Sequence, residues 1–269
     1  MKLKQFILAG VAGLVAAQPA LAHRMWMLPS TFTLSGDEQW ITVDGAISND
    51  LFFPNHVPLN YENITVSSPD GAESAVEDGW VGKYRTTFDV KLDQQGTYKL
   101  TENGGTWFAR WSENGEPQRR RGSIESFRED GLLDKADLNL SNSKRKVETF
   151  VTLGAPSETV FEPKNTGLEL QPITHPNDVY EGEEASFAFL LDGEPASGLE
   201  IEISKGNDRY RNDAGLITVT TGEDGSFSFT PEEPGRYWLS TGTQAEGSFE
   251  GRTISVRNSY VMTIEALPF

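Results

Sequence analysis

The sequence predicts an all-β protein: two tandem Ig-like or prealbumin-like β-sandwiches behind a cleaved signal peptide. Three observations lead there. Apolar residues recur at every second position in both halves, short turn motifs interrupt them, and no long stretch shows a 3.6-residue apolar stripe. A single sandwich takes roughly 100 residues, so a chain of 269 residues suits two.

The first 22 residues have the three parts of a secretory signal. Lys2 and Lys4 supply the positive start, Phe6 to Ala17 the short apolar stretch, and Ala20-Leu21-Ala22 the small residues before cleavage. Cleavage after Ala22 makes His23 the first mature residue, and a periplasmic location is expected. No later stretch reads as a membrane span. Losing Lys2 and Lys4 and no acid takes the net charge from −17 to −19. That charge argues against nucleic acid and anionic lipid as partners. It is compatible with a cation ligand. The absence of cysteine removes disulfide staples and thiolate chemistry.

In the first half Ile41 and Val43 alternate with polar residues, and Tyr84, Thr86, Phe88, Val90 and Leu92 do the same. In the second half the alternating sets are Ala185/Phe187/Phe189/Leu191, Leu199/Ile201/Ile203, Phe227/Phe229 and Tyr260/Met262/Ile264. Asp70-Gly71, Asp192-Gly193, Asp224-Gly225 and Pro234-Gly235 mark turns. A short echo links the halves: Gly96-Thr97-Tyr98-Lys99-Leu100 and Gly235-Arg236-Tyr237-Trp238-Leu239. Residues 23–165 are therefore expected to form the first sandwich, 166–177 a linker, and 178–269 the second sandwich. Residues 112–146 are rich in charge and read as an excursion from the first sandwich, a solvated loop rather than a partner-binding lobe, with a short helix around Ser123 to Arg128.

His23, His56 and His175 are the only histidines. An N-terminal histidine offers its free amine and its Nδ1 to one metal ion, and both lose their protons near neutral pH. Imidazole and amine nitrogens suit nickel, cobalt, copper and zinc. His56 sits between Pro54 and Pro58, which stiffen its loop, with Phe52 and Phe53 expected to anchor it. His175 lies at the domain junction. The expected metal ligands are His23, then His56, then His175, with Asp50 and Asp178 as carboxylate partners for the rings. A packing role for His175, a turn role for His56 and a frayed terminus for His23 are the competing readings.

No Gly-x-Ser-x-Gly elbow, phosphate loop or His-Glu-x-x-His helix is present, and no catalytic residue is assigned. Trp26, Trp40, Trp80, Trp107, Trp111 and Trp238 are a sugar platform or, more ordinarily, core.

The mature chain resembles a family of bacterial periplasmic proteins, long described as a domain of unknown function and linked to nickel and cobalt uptake. The matching residues are Ala22-His23-Arg24-Met25-Trp26-Met27-Leu28-Pro29-Ser30, Gly167-Leu168-Glu169-Leu170-Gln171-Pro172, Gly182, Asp192-Gly193-Glu194-Pro195-Ala196-Ser197-Gly198, Thr221-Gly222-Glu223-Asp224-Gly225-Ser226-Phe227 and Pro234-Gly235-Arg236-Tyr237-Trp238. The last part also looks like the carboxypeptidase regulatory-type sandwich. The resemblance implies a periplasmic capture or accessory component of a cobalt/nickel ABC-type transport system. A membrane transporter or outer-membrane receptor would be its partner. Of the histidines only His23 follows from the motif. Two alternatives stand beside this reading: a copper-dependent oxidase or oxygenase using the same N-terminal chelate, as in lytic polysaccharide monooxygenases, and a metal-free adhesive or structural module.

Overall fold

The computed structural model describes residues 24–207 and 215–269, so the expected signal segment and His23 lie outside the described residues. Strands of four or more residues are β1 (Arg24–Pro29), β2 (Gln39–Ser48), β3 (Ile64–Ser67), β4 (Thr86–Leu92), β5 (Gly96–Glu113), β6 (Glu116–Gly122), β7 (Asn139–Leu153), β8 (Leu168–Pro172), β9 (Ala185–Leu191), β10 (Glu200–Lys205), β11 (Ile217–Thr220), β12 (Ser226–Phe229), β13 (Gly235–Phe249) and β14 (Arg252–Leu267). Six strands of two or three residues, one six-residue helix, α1 (Ile124–Glu129), and short 3-10 turns are the other elements among the described residues. The expected all-β class is what the chain adopts.

Two small sheets flank one long sheet. The first, β1-β2-β4, extends to the short strand Gly79–Val81. The second joins β8 to β9, with β12 also on β9. The long sheet runs β11-β10-β13-β14-β7-β5-β3, with β6 on the outer half of β5. Its middle is a parallel pairing of β7 and β14, from Ser141 opposite Ser255 to Thr149 opposite Thr263. The two sandwiches therefore share one sheet.

The alternation along β7, β13 and β14 shows how. Val147, Val151, Leu153, Trp238 and Val261 point to one face and join the core under the first small sheet, with Trp26, Ile41, Val43, Phe88 and Val90. Phe150, Tyr237, Leu239, Tyr260, Met262 and Ile264 point to the opposite face and join the core under the second, with Phe187, Phe189, Ile201 and Phe227. The small sheets thus cover opposite faces of the long one. Each core takes residues from both halves of the chain. The stretch read as a linker is not one throughout: Leu168–Pro172 is strand β8, paired with β9, and it buries Leu168 and Leu170 in the second core.

The Gly-x-Tyr-x-Leu echo begins β5 and β13. Gly96 and Gly235 have φ of +131° and +135°, a conformation that favours glycine. Each tyrosine is buried and bonds back to the preceding turn. The Tyr98 hydroxyl accepts from the Gln94 amide at 2.8 Å, and the Tyr237 hydroxyl donates to the Glu233 carbonyl at 2.7 Å. These are two tyrosine corners, a feature of Ig-like sandwiches.

Residues 112–146 are not a solvated loop. β6 pairs with β5, α1 lies where a helix was expected, and β7 returns along β5. Phe127, Leu132 and Leu140 close a third small core with Ala109 and Ile254. The charge run Arg119-Arg120-Arg121 is exposed on β6, its side chains alternating between the strand's two faces. Charge marked a solvated face, while the few apolar residues decided the fold.

Candidate functional site

His56 is exposed on the loop after β2. Val57 pairs back with Ile47, so the loop closes on the end of β2. Asn55 fastens it: its Oδ1 accepts from the Asn49 amide at 2.9 Å, and its Nδ2 donates to Asp50 Oδ2 at 2.7 Å. Asp50 thus helps to hold the loop. Phe52, with φ of +59°, packs edge-on against Trp26 at 5.7 Å. The Phe53 side chain is partly exposed, and its backbone bridges to Asp50. Arg24, the first described residue, pairs with Ser48, so the described chain starts at this same end of β2.

His175 sits elsewhere, and both its ring nitrogens are engaged. Nδ1 accepts from the Asn177 amide at 3.1 Å, which leaves the ring proton on Nε2, 2.9 Å from Thr97 Oγ1. Thr97 Oγ1 lies 3.1 Å from Thr152 Oγ1, Thr152 donates to Asn177 Oδ1, and Asn177 donates to the Phe150 carbonyl. The ring also packs edge-on against Phe161. Burial pushes its pKa below the ordinary value, against the opposing pull of Asp178. This is a junction histidine, fixed as the neutral form.

His56 and His175 cannot share an ion. Thr97 follows Leu92, which pairs with Gln39 at the opposite end of β2 from Ser48. Strand β2 has ten residues, about 30 Å at roughly 3.3 Å per residue. His175 thus packs at the junction, away from His56, and among the described residues, which leave out His23, no three His, Cys, Asp or Glu side chains gather as a metal site.

A different concavity opens beside Arg24. The face of the long sheet that the first small sheet covers is bare further along its strands, leaving a groove of about 870 Å³. Four guanidiniums line it: Arg24 from β1, Arg121 from β6, Arg145 from β7 and Arg257 from β14. Glu200 and Glu202 of β10 line the far side. The Arg24 guanidinium lies 5.7 Å from the centre of the Trp238 ring, whose Nε1 donates to the Met25 carbonyl at 2.9 Å. Arg145 is fixed by two hydrogen bonds to Glu102, 2.9 Å and 2.5 Å, and Glu102 is fully buried. Gly104 makes room for that side chain: a Cβ there would lie 2.2 Å from Arg145 Nη2. No motif announces this site, because its charges come from five strands spread over the sequence. The one local signal is that Arg257, Ser259 and Val261 share a face under period-two alternation.

No helix among the described residues is long and apolar enough to cross a membrane. Comparison with curated proteins finds no match. Among solved structures, the chain is similar to the D0-D1 domain of intimin at 11% identity, covering 90% of this chain and 97% of that one, with a TM-score of 0.22. A DUF4785 family protein from Legionella pneumophila subsp. pneumophila str. Philadelphia 1 is 8% identical, with coverages of 80% and 50% and a TM-score of 0.24. The ectodomain of mouse nectin-like molecule 4 is 10% identical, with coverages of 92% and 65% and a TM-score of 0.20. Scores this low bear on neither fold nor function, and the fold stands on the strand pairing above. One family profile, described as a domain of unknown function, matches residues 20–245, most of the chain. By that match the chain belongs to the DUF4198 family.

Proposed function

We propose that this protein is a periplasmic binder of a divalent transition metal, serving nickel or cobalt uptake as a capture or accessory component. The observation that supports it most is the pairing of Arg24 with Ser48. It brings the start of the described chain to the end of β2 that carries the exposed His56 on its tied loop. An amine and ring from His23 would supply two nitrogens, and His56 a third. The metal is cargo in this reading. The Ala-His opening resembles that of a family linked to nickel and cobalt uptake, which favours those two ions over copper or zinc.

The test is calorimetric titration with nickel, cobalt, copper and zinc of protein beginning at His23. His23→Ala, and a form with one extra residue before His23, should each lose at least tenfold in affinity, since both dismantle the terminal chelate. His56→Ala should lose affinity as well, whereas His175→Ala should bind like the parent, its nitrogens being internal. Binding should weaken toward about pH 5–6, where protons compete for imidazole and amine. Tight binding by the extended form would sink the reading.

A further inference from the structure

The open groove on the long sheet is a second candidate site, and its charges are arranged by sign. Guanidiniums occupy β14, β7, β6 and β1, while carboxylates occupy β10. Arg257, Glu200 and Glu202 are exposed, and none of the three side chains has a hydrogen bond or ion pair among the described residues. Such charges are ordinary when scattered. Here they face one concave floor, in a protein whose net charge is −17, where a convergence of four arginines runs against the composition.

The sheet register sets the spacing. β10 pairs with β13, β13 with β14, and β14 with β7. Strands stand about 4.8 Å apart, so β10 and β14 are about 10 Å apart and β10 and β7 about 14 Å. Between them the floor is low: Gly242 lies opposite Ser259, and Ser259 opposite Arg145. A ligand lying across the strands meets carboxylates at one end, small hydroxyl-bearing residues in the middle and guanidiniums at the other. A dense polyanion would be repelled by Glu200 and Glu202. A ligand with one negative and one positive end satisfies both walls. An extended peptide of three residues spans at most about 10–11 Å, which fits the separation once side chains reach inward. Arginine forks suit a terminal carboxylate, which can take two parallel N–H bonds.

We propose that this groove binds short peptides by their two charged ends, the carboxylate at Arg257 and Arg145 and the ammonium at Glu200 and Glu202. Recognition then depends on the termini and on length, with little dependence on side chains. The groove and its test are independent of the metal reading, because none of these residues is a proposed ligand.

The test is titration of metal-free, signal-processed protein with trialanine, N-acetyl-trialanine and trialanine amide. Trialanine should bind, and capping either end should weaken it at least tenfold. Arg257→Gln and the double variant Glu200→Gln/Glu202→Gln should each weaken trialanine about tenfold. Their thermal midpoints should match the parent, since these side chains have no structural partner to lose. Arg145 is left intact because its removal would strand buried Glu102. Three outcomes each overturn the proposal: no saturation by trialanine up to about 10 mM, a Kd ten times weaker than 1 mM; equal binding of the capped peptides; or unaltered binding by both variants. Tight binding of a tricarboxylate that Glu200→Gln/Glu202→Gln improves would make the groove an anion site and would also overturn it.

Discussion

The Asn177 amide donates to Nδ1 of His175, and that one bond separates a structural histidine from a ligand. The neutral ring accepts on Nδ1 and donates from Nε2, and protonation would remove the acceptor. Burial lowers the folded pKa below the ordinary 6.5. As pH falls through about 6.5 the unfolded chain takes up a proton that the folded chain refuses. This residue's stabilisation is therefore present above that pH and declines as pH falls toward the folded pKa. His175→Gln should cost about 1–3 kcal/mol at neutral pH, the price of an unsatisfied buried group. The stability gap between parent and variant, read from urea midpoints, should narrow between about pH 7.5 and 5. A gap that widens would show the folded ring to be charged. Tyr260 is a second fixed group: its hydroxyl donates to buried Glu148, and burial, then that carboxylate, hold its pKa well above 10.0.

Among the elements, the unit formed by the outer half of β5 with β6, α1 and the start of β7 stands on its own small core. Phe127 is fully buried there among Ala109, Leu132, Leu140 and Ile254, and the Trp107 and Phe249 rings pack nearby, tilted by 57° with centroids 4.8 Å apart. Ser123 caps the helix, its hydroxyl accepting from the Ser126 amide at 3.1 Å. Phe127→Ala should cost about 3–5 kcal/mol, as for other buried phenylalanines. Because this core is separate from the two sandwich cores, most of that loss should appear as local opening. Limited trypsin digestion should then cut first within Arg119–Lys135 in the variant, while the parent resists there. Cleavage that begins elsewhere would show the unit to be integral with the first sandwich.

Across the whole molecule, the parallel pairing of β7 and β14 makes the two sandwiches interdependent. The second core uses Phe150, Val160 and Phe161 from the first half, and the first uses Trp238 and Val261 from the second. Thr149 also donates across the seam, to the Thr263 carbonyl at 3.1 Å. Unfolding in urea of protein beginning at His23 should therefore be one transition, coincident by tryptophan fluorescence and circular dichroism. A fragment of residues 166–269 should not fold stably alone, because β14 would lose its partner and expose an edge. Two separated transitions, or a folded fragment, would show that the sandwiches stand independently.

The sequence by itself determined what is local. Alternation in Ala185/Phe187/Phe189 and Ile201/Ile203 marked strands and their inward faces, because the strand period is short enough to read in a few residues. Asp192-Gly193 marked a hairpin whose two residues both have positive φ, and the Gly-x-Tyr-x-Leu echo marked two equivalent corners. Which histidines can meet was not local. Linear spacing said nothing of the length of β2, which separates His56 from His175, nor of the Thr97–Thr152–Asn177 network that occupies the latter. Strand order was equally hidden, since any inward-facing strand can pair with several others, and the β7–β14 pairing joins residues more than 100 positions apart. That pairing produced both the shared sheet and the groove. The covered faces followed from the pattern of apolar residues, while the face left bare was decided only by where the small sheets end.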